Sequence, residues 1–455
     1  MMRPFQMQEL EGALEAARRG ADVLITGVTS DSRHIQPGDL FVALRGERYD
    51  GHHYLAAAAN AGAAGALVEE GQGVDLPCLV VEDTLRALGR LGAFNRDLYS
   101  GPVVAITGSS GKTTAKNMIH SVLSQAGNTM ATEGNFNNEI GVPLTLLRLD
   151  PSVQFAVIEM GAGKAGDIAW LCELGKPGIS LLLNAMPAHL DGFGSVDQVA
   201  QAKGEIFDGL EAGDVAVINS DQSYAGQWRK RSGAATVIDF GLENAAAISA
   251  TAINVRGVEG SSFTASTPEG DIAIRLSLPG RHNVANALAA IAVGLACNLD
   301  LTTIRDGLEA LRPTQGRLHP VTVASGACII DDCYNANPGS VRAAIDLLGS
   351  CQGNRVLVLG AMRELGPDSE AMHREIGAHA QTVGIDRLWG VGEELRATVA
   401  AFGGGGEWFV DREAAAERAC AEFGRGDTVL VKGSRSAGME LVLQALLGPS
   451  AAGEA

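Results

Sequence analysis

Positive charge is scarce in this sequence. Its 455 residues hold 35 lysines and arginines against 53 acidic residues, a formal net charge of -18. A nucleic-acid partner needs a basic face to replace the counterions around its phosphates, and this balance argues against one. Nucleotides stay open, because a few local groups can hold a phosphate. Paired cysteines are also missing. The seven cysteines (Cys78, Cys172, Cys297, Cys328, Cys333, Cys351 and Cys420) form no C-x-x-C and lie mostly in apolar runs. Reduced, buried thiols are expected, and neither a disulfide frame nor a zinc site. Long apolar runs are absent too: the most apolar helix candidate, residues 284–297, is too short to cross a bilayer. The first twenty residues carry acids and no apolar h-region, so no signal peptide is expected. These absences point to a cytoplasmic protein with no membrane insertion.

What is present is organised around residues 103–114, VVAITGSSGKTT. The β-branched run 103–107 reads as a buried strand, and helical spacing resumes at 115–125. Strand, glycine-rich turn and helix make a phosphate loop. Gly108 and Gly111 let the backbone bend close to an anion, while the amides from Ser109 to Thr114 and the helix N-terminus cradle it. Lys112 reaches the β- and γ-phosphates, and the Thr113 hydroxyl suits Mg²⁺. The loop is a shortened relative of G-x-x-x-x-G-K, since Ile106 stands where that pattern has its first glycine.

A chain of this length suggests about three domains. Residues 1–84 read as a small α/β unit, with a helix over 8–19, a strand over 38–44, an Ala-rich helix and a strand over 65–68. Ser30, Asp31, Ser32 and Arg33, with Arg45, Asp50 and His52 in a polar loop at 45–53, gather near strand ends as a candidate ligand rim. A helix over 83–97 joins this unit to the phosphate loop of the central unit, residues 85–312. Strands follow over 155–159, 179–184, 215–219 and 236–239, then a β-hairpin insertion over 247–278 and helices over 284–297 and 302–311. Residues 313–455 carry strands over 328–332, 355–359, 386–391, 408–410 and 428–431, as in a doubly wound, Rossmann-like sheet. No G-x-G-x-x-G follows its first strand, so dinucleotide binding is not implied. The tail 449–455 reads as frayed.

Several polar residues stand at strand ends. Glu159 closes FAVIE, where an acid can take Mg²⁺ beside the loop hydroxyl. His189, beyond the 179–184 strand, is either a hydrogen-bonded loop residue or a second metal ligand. Lys203, in AQAKGEIF, reads from composition as a solvated helix lysine. Asn283 and Asn286 sit one helical turn apart in GRHNVANALAA. Asn283 could cap that helix, or the pair could meet an adenine edge. Arg317 precedes a strand of the third unit. The runs DDCYNANPGS, LGAMRELG and KGSR each follow one, so Asp332, Tyr334, Asn335, Asn337, Lys432, Ser434 and Arg435 should open on one sheet edge, facing the nucleotide.

In order along essentially the whole chain, SDSR, TGSSGKTT, GNFNNEIGVP, EMG, AMPAHL, AKGEIF, GRHNVANALAA, DDCYNANP, LGAMRELG and KGSR resemble the Mur ligases, which build the peptide of bacterial cell-wall precursors. The resemblance implies an α/β protein of three domains: a small N-terminal α/β UDP-binding domain, a central P-loop ATPase domain with a mostly parallel sheet, and a C-terminal Rossmann-like domain bringing the amine. It accounts for the shortened loop. It implies ATP, two Mg²⁺ ions, a carbamylated Lys203 as metal ligand with Thr113, Glu159 and His189, and substrate contacts at Asn135, Asn137 and Asn138. N-A-N-P and LGxMxELG point to the member that adds D-alanyl-D-alanine to UDP-N-acetylmuramoyl-tripeptide. A monomer is expected. Members adding the third residue carry D-N-P-R, and folylpolyglutamate synthases carry D-G-A-H-N-P; neither run occurs here.

Overall fold

The computed structural model describes residues 2–46, 48–69, 75–419 and 422–448; Cys420 and the 449–455 tail lie outside them. At its centre is a six-stranded, all-parallel sheet. From edge to edge it runs Thr236–Phe240, Val215–Asn219, Ile179–Leu182, Val103–Thr107, Phe155–Glu159 and Thr129–Ala131. All five residues of Val103–Thr107 are buried, as a strand covered on both faces requires. The edge strand Thr129–Ala131 was not expected, since three residues carry too little pattern to read.

Two apolar clusters sandwich this sheet. One joins Ile106 and Leu181 to the phosphate-loop helix Lys112–Leu123 and to Arg281–Ala296, which buries side chains all round its axis. The other joins Ala105 and Ile158 to Asp167–Gly175 and Val196–Gly204. The insertion is a three-stranded antiparallel sheet rather than a hairpin: Ser249–Val255, Ser261–Thr267 and Gly270–Leu276.

The N-terminal sheet has five strands, in the order Ala17–Arg19, Cys78–Val80, Gly65–Val68, Asp39–Val42 and Gly27–Thr29. The expected helix over 8–19 is shorter, Met7–Leu14. Glu15 turns left-handed (φ 53°) and ends it, and residues 17–19 pair antiparallel with Cys78–Val80. Thr84–Asp97, capped by Asp83, joins this unit to the central one. Its Leu88 and Leu91 pack with Leu10 and Leu14, while Asn95 Nδ2 donates to the carbonyls of Leu146 (2.8 Å) and Leu149 (2.9 Å).

The C-terminal sheet runs His319–Thr322, Cys328–Asp332, Asp427–Lys432, Asn354–Gly360, Arg387–Val391 and Gly406–Phe409. The first strand is antiparallel and was not expected. Pro320 masks it, and an edge is where a strand tolerates proline. The other five are parallel, so the residues after 332, 360 and 432 emerge on one edge. Among the described residues no helix is long and apolar enough to cross a membrane.

The phosphate-loop helix is wedged from behind by Leu301–Ala310. A Cβ on Gly307 would lie 2.5 Å from Val122 Cα, and Ser121 Oγ donates to Gly307 O at 2.6 Å. Gly307→Val should therefore lower the unfolding free energy by about 1–3 kcal/mol or more. Urea denaturation reads this; an unchanged midpoint would mean the two helices are not held this closely.

Candidate functional site

The strand Val103–Thr107 ends where its chain must turn sharply into a helix, and Asn184 braces that turn. Ser109 N donates to Asn184 O (3.1 Å), Ser110 N to Asn184 Oδ1 (3.0 Å), and Asn184 Nδ2 back to Ser110 O (3.1 Å). Gly111 is left-handed (φ 82°), and a Cβ there would come within 2.9 Å of Asn286 Oδ1. Only glycine meets both demands. Lys112 Nζ donates to Gly108 O at 2.8 Å, inside the curl of the loop. Burial pushes the Lys112 ammonium pKa down, and the Glu159 carboxylate opposes that shift.

Glu159 is buried and fully engaged. Thr113 Oγ1 donates to its Oε2 at 2.9 Å, and Asn137 Nδ2 to its Oε1 at 2.8 Å. The Glu159 amide donates to Thr132 Oγ1 at 2.9 Å, and buried Lys116 donates to Thr132 O at 2.6 Å. A hydroxyl and a carboxylate side by side are hard oxygen donors, the kind Mg²⁺ takes. Sequence reasoning paired Thr113 with Glu159. It missed Asn184, Thr132 and Lys116, single polar residues whose only signal is their place near a strand end or on the loop helix.

The third unit closes over the loop. Arg317 Nη2 donates to Thr113 Oγ1 at 2.9 Å, and its guanidinium stacks 4.2 Å from the Tyr334 ring centroid. Asn337 accepts from Ser340 N (2.9 Å) as the cap of Pro338–Gly349. Its Nδ2 also reaches Ser109 O (3.3 Å) and Ser110 Oγ (3.1 Å). Buried Lys432 donates to Asp332 Oδ2 at 2.6 Å and to Asn335 O at 2.9 Å. Burial pushes the Asp332 carboxyl up and Lys432 pulls it back. Between the two units lies a cleft of ≈ 480 Å³.

That cleft gathers most of the expected residues: Ser109 to Thr114, Asn135, Asn137, Asn138, Glu159, His189, Asn283, Asn286, Arg317, Asp332, Tyr334, Asn335, Asn337 and Lys432. Asn283 is not the helix cap; Gly280 holds that position. The Asn283 amide instead donates to Pro279 O (2.7 Å) and accepts from Asn286 (3.1 Å). His282 also lines the cleft, its pKa pushed down to about 4 by burial and by Lys432.

Other expected residues lie elsewhere. Gly108 does not line the cleft; a Cβ there would lie 3.1 Å from Leu183 Cβ. Ser434 N donates to Ala361 O (3.0 Å), and Arg435 pairs with Glu440 (2.5 Å); neither lines the cleft. Lys203 is 1% exposed, so the solvated reading is wrong. The third turn of Val196–Gly204 carries it into the protein interior. Its pKa is lowered by burial and then by the Lys112 charge, and its Nζ makes no hydrogen bond among the described residues. His189 lines the cleft, but its Nδ1 contacts Glu364 of the third unit. No cluster of three or more His, Cys, Asp or Glu side chains suited to a metal occurs among the described residues.

The expected rim lies in the N-terminal unit, outside this cleft. Arg33 grips Asp31 through Nε (2.8 Å) and Nη2 (2.6 Å) in the turn that also holds Ser30 and Ser32. Arg45 bridges Asp50 (3.2 Å) and Glu69 (2.8 Å). His52 is buried, its Nε2 accepting from Glu69 N (3.0 Å) and its Nδ1 meeting Asp50 (2.6 Å), so it braces the rim and does not present a free ring.

Three family descriptions match the chain in succession: "Mur ligase family, catalytic domain" over residues 24–94, "Mur ligase middle domain" over 106–294 and "Mur ligase, glutamate ligase domain" over 316–435. The Escherichia coli UDP-N-acetylmuramoyl-tripeptide–D-alanyl-D-alanine ligase is 45% identical over 443 residues, covering 97% of this chain and 98% of the relative. The crystal structure of MurF from Acinetobacter baumannii superposes with a TM-score of 0.94 at 34% identity, over 98% of this chain and 99% of that one. MurF from Thermotoga maritima in complex with ADP gives a TM-score of 0.83 at 28% identity, over 92% and 96%. With the phosphate loop, its carboxylate and the closing third unit all in place, and with likeness running from end to end, the chain belongs to the Mur ligase family.

Proposed function

We propose that this chain joins D-alanyl-D-alanine to UDP-N-acetylmuramoyl-tripeptide, converting ATP to ADP and phosphate in peptidoglycan precursor synthesis. The observation that carries it is the phosphate loop facing Asn337, Arg317 and Lys432 across one cleft. Relatives of the same length bearing that activity in their names support the choice of substrates. We assign the UDP moiety to the rim of residues 1–84, ATP to 85–312 with Arg317 and Asp332, and the dipeptide to 313–455. The sheets and the joining helix Thr84–Asp97 support these divisions. A monomer suffices, since all three units come from one chain.

A carboxylate resists an amine until one oxygen becomes a leaving group. The γ-phosphoryl group of ATP passes to the tripeptide carboxylate: a carboxyl O–P bond forms, the β–γ bridge breaks, and ADP departs. The dipeptide amine then attacks the acyl carbon, and the tetrahedral intermediate expels phosphate as the amine loses its proton. Negative charge gathers over the loop in both steps. Lys112, Arg317 and the helix N-terminus at Lys112 are aimed there in advance, which is the largest kind of catalytic contribution. Apposition of the third unit keeps water from the acyl phosphate. Thr113 and Glu159 would hold Mg²⁺, with His189 toward a second ion; bound there, the ions neutralise phosphate charge.

Lys203 is the candidate for carbamylation. A buried amine with no acceptor can react with carbon dioxide only when neutral, and burial favours that form. The carbamate turns a cation that Mg²⁺ would repel into an oxygen ligand. Lys203→Ala should lose most activity and regain part of it with a short carboxylic acid. Bicarbonate-¹³C should also give a carbamate signal that Lys203→Ala lacks. An intact protein with no such signal would return Lys203 to a buried structural role.

Phosphate release should require both the UDP-tripeptide and the dipeptide, and Lys112→Ala should slow it by about 10²–10³-fold or more. Release independent of the dipeptide, or near wild-type turnover in the variant, would contradict this function.

A further inference from the structure

His189 of the cleft lining makes a contact between the central and third units that the reaction described above does not use. Glu364 belongs to the loop after Asn354–Gly360 in the third unit, and its carboxylate meets His189 Nδ1 of the central unit. The backbones lock as well: Leu190 N donates to Glu364 O at 2.8 Å. Both residues are left-handed, His189 at φ 54° and Glu364 at φ 61°. Side chains bearing a Cβ rarely adopt that backbone, and two facing each other across a unit boundary mark a constrained junction.

The loop is built to hold this position. His373 is fully buried beneath it; its Nε2 accepts from Met362 N (3.1 Å) and its Nδ1 donates to Ser369 O (2.8 Å). Arg363 turns away to Glu394, leaving the Glu364 carboxylate to the imidazole. His189 meanwhile lines the cleft, and its Nε2 has no hydrogen-bond partner among the described residues.

We infer that Glu364 is a positioning residue: when the third unit docks, it fixes His189 in the Nδ1–H form and leaves the Nε2 lone pair facing the cleft. A carboxylate only accepts hydrogen bonds, so the nitrogen it meets must carry the proton. An unprotonated imidazole has a single N–H, and the remaining lone pair is what a divalent cation requires. The free ring has no such constraint. Docking that brings the amine to the acyl phosphate therefore also completes the ligand set, and the phosphate site matures only in the closed arrangement. This inference rests on the reading of His189 as a ligand facing the cleft.

The test uses the full chain labelled with ¹⁵N-histidine, with neither metal nor nucleotide added. Long-range ¹H–¹⁵N correlation distinguishes the two tautomers, and His189→Asn identifies the His189 signals. The wild-type ring should be in the Nδ1–H form. Glu364→Gly, which suits the left-handed backbone, should release it to the Nε2–H form or a mixture, with the melting temperature little changed. Glu364→Gln, of the same size but uncharged, should give a mixture. Retention of the Nδ1–H form in both variants would overturn the inference. In turnover, Glu364→Gly should raise the apparent Mg²⁺ constant about 10-fold or more while leaving the KM for the UDP substrate unchanged. A Mg²⁺ constant unchanged in Glu364→Gly but raised in His189→Asn would overturn the coupling to Glu364. A constant unchanged in His189→Asn would instead remove His189 from the metal set, a failure of the earlier reading that the metal-free tautomer measurement keeps separate.

Discussion

A short chain of hydrogen bonds holds the site together: Arg317 to Thr113, Thr113 to Glu159, with Asn137 on the far oxygen of Glu159. It joins the third unit, the phosphate loop and the neighbouring strand through one hydroxyl. Every member is charged or polar and at least half-buried, so each is costly to leave without a partner. That cost fixes the loop's shape before a nucleotide arrives. It also makes the apposition of the two units part of the site rather than an accessory to it. Arg317 lies where the chain passes from central to third unit, so a change in their relation moves the guanidinium directly.

The sheets explain why the chemistry gathers at one place. Both six-stranded sheets are parallel over all or most of their strands, and parallel strands place all their following loops on one edge. The central sheet puts residues 108–114, 160–163 and 184–189 there. The C-terminal sheet does the same with 333–337, 361–366 and 433–435. Turning these edges toward each other encloses the phosphate loop between them, where the proposed reaction would bring the phosphate donor and the amine together. The apolar faces that fix each sheet are separate clusters, so each unit keeps its own core while the polar edges meet.

How far the sequence could be read followed local physics. Val103–Thr107, Phe155–Glu159, Val215–Asn219 and Cys328–Asp332 are β-branched runs buried on both faces, and their bounds were legible residue by residue. Ala17–Arg19, Thr129–Ala131 and His319–Thr322 are edge strands of three or four residues, defined by their partners rather than their own pattern. In the site, Thr113 and Glu159 were legible because loop and strand end each carry a signature. Lys203 was not: nothing in a helical lysine announces that its helix faces inward. Nor was Glu364, whose meaning depends on a ring 175 residues away in the chain. The resemblance to a family supplied Lys203; it did not single out Glu364.

The central claim is that the cleft makes an acyl phosphate on the substrate carboxylate. The most direct measurement is to label both oxygens of that carboxylate with ¹⁸O and follow the label by ³¹P NMR through a complete turnover. The account predicts one ¹⁸O in each inorganic phosphate released and none in ADP, because the carboxyl oxygen that accepted the phosphoryl group leaves with it. Unlabelled phosphate, with both ¹⁸O atoms still unbound to phosphorus, would contradict it.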